Sequence, residues 1–201
     1  MEAITVKIQL TDSNPIRSWV VDHLDFIRNQ AETSPMGHEG DVLAIKNLQL
    51  QHTKDALHPL GFPYEQLQNI NDELMDYYQI PKNCGDAKLG WMLVYAREGY
   101  KCRVHRDASG AQQGFYSTRL NVLISKSEVG GDPVMFIDGK EVVIDVEENE
   151  PWLCVSGRYE HSTTRTKGPT PRILLSFGYD LDAQLIEQLD YVRNMNTMLA
   201  V

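Results

Sequence analysis

Two periodicities divide the chain. Asn14-Pro15 reads as an N-cap followed by proline at the first helical position, and Trp19, Val20, Leu24 and Ile27 then fall on one face of an amphipathic helix. A short strand is expected before it, from Ile4 to Leu10. Residues 31–60 alternate loop signals such as Ser34-Pro35 with a short apolar patch and predict no clear element. Tyr64 to Tyr78 predicts a second helix with Leu67, Ile70, Leu74 and Tyr78 on one face, stopped by Pro81. From Leu89 the period changes. Short apolar or alternating runs occur at 91–95, 100–105, 119–125, 134–137, 141–146, 152–155 and 172–179, separated by Gly, Pro, Asn and Asp. That is the pattern of an antiparallel double-sheet sandwich or jelly roll. Asp138-Gly139 between Phe136-Ile137 and Glu141-Val142-Val143 is a hairpin signal. Helical spacing returns after Asp182 through Leu185, Ile186, Leu189 and Val192. A mostly β fold with supporting helices follows: helical support over 1–88, a jelly-roll core over 89–180 and a closing helix over 181–201, in one domain.

Strand side chains alternate between faces, so parity shows which residues point together. In 119–124 the even positions Leu120, Val122 and Ile124 are apolar, which turns Arg119 and Asn121 the other way. In 172–177, Ile173, Leu175 and Phe177 form the packed face and leave Arg172 and Ser176 opposite. Read as an extended segment, 103–107 brings Arg103, His105 and Asp107 to one face. Three strands then turn polar groups to one side, which a closed barrel tolerates only where they line a pocket or satisfy one another.

The composition of that polar face suggests chemistry. His105 and Asp107, two apart, with His161 far downstream, are the three residue types of the facial 2-His-1-carboxylate site of non-haem Fe(II) oxygenases, which leaves metal positions open. Other readings are weaker. His105-Arg106-Asp107 also spells the start of a kinase catalytic loop, but Gln112 stands where asparagine is needed and no Asp-Phe-Gly follows. His23, His38, His52 and His58 lie in helix or loop segments without a paired ligand and read as surface residues. Cys102 and Cys154 sit in strands and read as core residues.

With these residues in place, the segment from Trp91 to Tyr179 resembles the Fe(II)/2-oxoglutarate-dependent dioxygenases, most nearly the prolyl-hydroxylase-like branch. Tyr95, Arg97-Glu98-Gly99-Tyr100 and His105-x-Asp107 are similar to that branch's approach to its first two iron ligands. Gly130-Gly131-Asp132-Pro133 is similar to its glycine pair, and His161 with Pro171-Arg172-Ile173-Leu174-Leu175-Ser176-Phe177 to its third ligand and co-substrate arginine. The resemblance covers about half of the chain. It implies a double-stranded β-helix in which His105, Asp107 and His161 hold Fe(II). It also implies that Arg172 pairs with the distal carboxylate of 2-oxoglutarate, with Ser176, Tyr95 or Asn121 as further co-substrate contacts. With O₂, such a site yields succinate and CO₂ while it hydroxylates a C–H bond.

Composition bounds the partners. A net charge of −9 argues against a nucleic-acid binder. Residues 97–126 and 158–172 nevertheless carry +4 and +3, so the candidate ligands lie in basic stretches of an acidic chain. Arg103 and Arg119, with Arg165 and Lys167 just after His161, are therefore expected to contact or rim a pocket for an anionic substrate. The substrate class expected is a protein or peptide side chain, prolyl first, or a small acid. The start, Met1 to Thr5, has neither a basic nor an apolar leader region, and no apolar run approaches a membrane span. Three cysteines without metal-site spacing read as free thiols in a reducing, cytoplasmic setting. The alternative reading is a cupin-like metal protein with non-oxidative chemistry or a sensing role; an arginine placed for a dicarboxylate favours the oxygenase.

Overall fold

A computed structural model describes residues 10, 12–30, 38–39, 45–50, 53–82, 84, 90–108 and 113–189. The expected strand at 4–10 and the end of the closing helix, including Val192, fall outside these residues. The first helical pattern forms two helices, α1 (Asn14–Asp22) and α2 (Leu24–Gln30), parted at His23. Ser13 rather than Asn14 is the N-cap residue, and Pro15 lies in the first turn as expected. Two short strands, β1 (His38–Glu39) and β2 (Ile45–Gln49), follow, then a helical turn α3 (Lys54–Leu57). α4 (Tyr64–Tyr77) buries Leu67, Ile70 and Leu74.

The remaining elements build a double-stranded β-helix. They are β3 (Trp91–Ala96), β4 (Lys101–Cys102), β5 (Phe115–Ser125), β6 (Pro133–Ile137), β7 (Lys140–Val143), β8 (Pro151–Cys154), β9 (Glu160–Thr163) and β10 (Arg172–Asp182), with a further helix over 183–189. The large sheet runs β2-β3-β10-β5-β8 and the small one β7-β6-β9, all antiparallel. At the β6–β7 hairpin Asp138 and Gly139 both adopt positive φ (50° and 74°), the backbone a two-residue primed turn requires.

Parity sorts the large sheet into two apolar layers. Leu93, Leu120, Val122, Ile124, Ile173, Leu175 and Phe177 pack in one cluster with Ile16, Trp19, Ile70 and Leu74 of the helices. The intervening Val94, Ala96, Leu123 and Leu174 join Tyr100, Val146 and Trp152 in a second cluster inside the β-helix. The helices thus cover one face, and the opposite face is left to line the interior, where burying apolar area contributes about 25 cal/mol per Å². Polar Arg119, Asn121, Arg172 and Ser176 share that interior face and are all buried. Among the described residues Cys84, Cys102 and Cys154 form no disulfide. Among the described residues no helix is long and apolar enough to cross a membrane.

Candidate metal centre

His105 and His161 meet across an isolated antiparallel bridge, with both backbone hydrogen bonds formed (3.1 and 2.9 Å). Strand β4 ends at Cys102, so the residues that follow are not a continuous strand with shared parity. His105 is fixed by its bridge to His161, and Asp107 by its backbone N–H donating to the Ser156 carbonyl at 2.9 Å. The two side chains converge all the same, with His105 Nε2 3.5 Å from Asp107 Oδ1. Ligand-capable atoms of His105, Asp107 and His161 all lie within 4.8 Å of one another, and the two imidazole centroids are 4.3 Å apart.

Donor chemistry shows which ring atoms are available. His105 Nδ1 lies 2.9 Å from the Arg103 carbonyl and His161 Nδ1 lies 3.3 Å from the Tyr159 carbonyl. A carbonyl only accepts, so Nδ1 carries the proton in each ring and Nε2 is left to bind an ion, the outer hydrogen bond usual for metal-bound histidine. With one carboxylate, the set fits a divalent metal of the iron type. His105 and Asp107 pair through Nε2 and Oδ1. The hydrogen bond with Asp107 raises the His105 pKa to about 10, aided by Cys102. Burial works to raise Asp107, but His105, His161, Ser156 and Arg119 outweigh it and hold that carboxyl at about 2. Burial, followed by the nearby His105, pushes His161 below the ordinary histidine value. An ion must therefore displace a proton from His105. Metal affinity should rise roughly tenfold per pH unit between about pH 6 and 8, with one proton released per ion. Calorimetry in buffers of different ionisation enthalpy checks this; an affinity independent of pH would contradict it.

Cys102 connects this cluster to the surroundings of Arg172: its Sγ lies 3.6 Å from His105 Nδ1, and it bears electrostatically on Arg172. Ser176 and Asn121 are register partners on adjacent strands, and Trp152 lies opposite Asn121 on β8. Arg172 is 4% exposed, and its Nε has no hydrogen-bond partner among the described residues. Burial lowers its pKa, opposed by Tyr100, Asp132 and Cys102 nearby. Its guanidinium lies over the Trp152 ring, 5.8 Å from the centroid, and lines a recess with Trp152, Leu123, Ser127, Gly131 and Asp132.

Other expected site residues are placed differently. Tyr95 pairs with Ile173 and packs in the helix-facing cluster, so it lies on the face opposite Arg172. Arg103 is exposed, and its carbonyl rather than its side chain serves the site. Arg119 is buried across from Gly178, donates to the Gly90 carbonyl at 3.2 Å and acts by its charge on Asp107 and His161. Arg165 is exposed and donates to the Gly99 carbonyl at 2.6 Å, while Lys167 pairs through its backbone with Val129. Sequence reasoning did not single out Tyr100 and Trp152. Tyr100 is buried beside Arg172 and Cys102, with its hydroxyl's pKa pushed up by burial and then by Cys102. The Trp152 position follows only from the β5–β8 register.

No protein-family model and no curated protein matches the sequence. Among solved structures, HygX from Streptomyces hygroscopicus with nickel and 2-oxoglutarate bound aligns over 84% of this chain and 79% of its own, at 12% identity and a TM-score of 0.56. A prolyl-4-hydroxylase from Pseudomonas putida aligns over 87% and 90% at 14% identity, TM-score 0.49. A 2OG-Fe(II) oxygenase family oxidoreductase from Burkholderia pseudomallei aligns over 79% and 77% at 13% identity, TM-score 0.49. The chain has the double-stranded β-helix fold expected from its sequence.

Proposed function

We propose that this protein is an Fe(II)- and 2-oxoglutarate-dependent oxygenase that hydroxylates a C–H bond. The observation that carries the reading is Arg172. A guanidinium buried without a partner for its Nε is costly, and its cost is relieved when a carboxylate enters the same interior as the three-ligand cluster. HygX, with the same fold, holds nickel and 2-oxoglutarate, which supports a site of this kind.

In this reading His105, Asp107 and His161 hold Fe(II), and Arg172 binds the distal carboxylate of 2-oxoglutarate through charge-assisted bonds. Bound there, the metal and its co-substrate supply oxidising power from O₂, with succinate and CO₂ as co-products. The chain's own contribution is placement. The Arg103 and Tyr159 carbonyls orient the imidazoles, Ser176, Asn121 and Tyr100 offer neutral hydrogen bonds along the chamber, and the second apolar cluster excludes water. The substrate is proposed to be a peptidyl side chain, prolyl or other, or a small acid, in an intracellular, reducing setting. The free thiols are compatible with that setting.

Gly131 provides a check on Arg172 placement. A Cβ there would lie 2.8 Å from Arg172 Cδ and from Ser127 Oγ, on a backbone already at φ +79°. Gly131→Ala should thus weaken 2-oxoglutarate binding without reducing metal affinity, as two separate calorimetric titrations would show. The reaction class itself is tested by succinate formation: Fe(II)-dependent, O₂-dependent conversion of 2-oxoglutarate is expected, and none at any metal loading would refute it.

A further inference from the structure

Arg172 is held by unusual neighbours for a buried cation. Its stem passes over Gly131, where even a methyl group would collide with it. The guanidinium faces the Trp152 indole, itself only 8% exposed. The carboxylate that bears on it electrostatically is Asp132, which accepts a hydrogen bond from Thr164 Oγ1 at 3.2 Å. A π face attracts a cation without accepting the in-plane N–H bonds a carboxylate needs. Trp152 can therefore immobilise the guanidinium and leave its donors for an incoming ligand, which a paired Asp or Glu could not do. The loop beneath is equally fixed, since Ser127 Oγ donates to the Gly130 carbonyl at 2.6 Å.

We infer that Trp152 is a specificity-determining residue that sets the length of dicarboxylate the chamber accepts, by pinning the Arg172 guanidinium at one distance from the His105, Asp107 and His161 cluster. The inference rests on the proposed oxygenase reading and deepens it. A 2-oxo acid chelated at one end presents its far carboxylate at a reach fixed by its carbon count. One added methylene moves that carboxylate by roughly an ångström, enough to spoil hydrogen bonds to a guanidinium that cannot follow. Removing the indole frees the guanidinium to follow, so affinity for the fitting acid falls and discrimination falls with it.

The test is calorimetric titration of Mn(II)-loaded protein with three 2-oxo acids: 2-oxoglutarate, the one-methylene-longer 2-oxoadipate, and 2-oxovalerate, which lacks the far carboxylate. Wild type should bind 2-oxoglutarate best. In Trp152→Leu, 2-oxoglutarate should bind about 10- to 30-fold more weakly, the cost of re-ordering a freed arginine side chain when the acid binds. 2-Oxoadipate should bind as well as before or better, and 2-oxovalerate should be unchanged. Trp152→Phe, which keeps an aromatic face and most of the volume, should retain most of the preference. An equal loss for all three acids in Trp152→Leu, or an unchanged ratio of the two diacids, would overturn the inference while leaving the oxygenase reading intact. A wild type that binds 2-oxoglutarate no better than 2-oxovalerate would overturn both.

Discussion

His161→Ala should remove metal binding and metal-dependent turnover while leaving the fold in place. In the proposed site three side chains hold the ion, and the loss of one should outweigh the 10- to 100-fold that altering an outer hydrogen-bond partner typically costs. A drop in affinity of more than about 100-fold is therefore expected. The fold should survive because the contact that ties His161 to His105 is made by their backbones, which alanine keeps. His105→Ala should behave alike, with the added loss of the pair to Asp107. Competition against a chelating dye measures the affinity, and a thermal melt reports folding. Full iron affinity in both variants would mean that these residues do not form the metal site.

Arg172→Met should weaken 2-oxoglutarate binding by roughly 10- to 150-fold, because charge-assisted hydrogen bonds contribute about 1.5–3 kcal/mol each. Stability should move the other way or not at all. Replacing a buried charge whose Nε lacks a partner by an apolar group of similar reach relieves its desolvation, and such replacements are often neutral or stabilising. The combination is diagnostic. An arginine kept for structure would lose melting temperature when removed, whereas one kept for a ligand loses affinity and keeps its melt. An unchanged dissociation constant for 2-oxoglutarate would show that another cation binds the far carboxylate.

Strand periodicity made much of this arrangement legible from the chain alone. The alternation at 119–124 and 172–177 separates the helix-packed face from the interior face, and the structure places Arg119, Asn121, Arg172 and Ser176 on the interior as that alternation predicts. The same rule misled at Arg103, whose side chain is exposed although His105 and Asp107 converge, because parity holds only within a continuous strand and β4 ends at Cys102. It also marks the limits of motif spacing at Tyr95. That residue has the separation from His105 that the resemblance implies, yet its strand position turns it toward the helices with Leu93. β9 was invisible to a hydrophobic pattern, since Glu160-His161-Ser162-Thr163 carries no apolar residue and is held by its pairing with β6. Trp152 and Tyr100 were missed for a related reason. Their meaning lies in which strands stand beside Arg172, and register between strands distant in sequence is not written in local spacing. The basic rim is the least supported of the expectations: Arg165 donates to the Gly99 carbonyl at the surface, which accounts for its position without a substrate.

The central claim is that one chamber holds a metal on three side chains and a dicarboxylate on Arg172. A crystal structure of the protein with Mn(II) and 2-oxoglutarate tests it most directly. The ion is expected on His105 Nε2, His161 Nε2 and an Asp107 oxygen, with the acid chelated to it and its far carboxylate on the Arg172 guanidinium beside Trp152. An ion bound away from these three residues, or an acid whose far carboxylate leaves Arg172 without a partner, would contradict it.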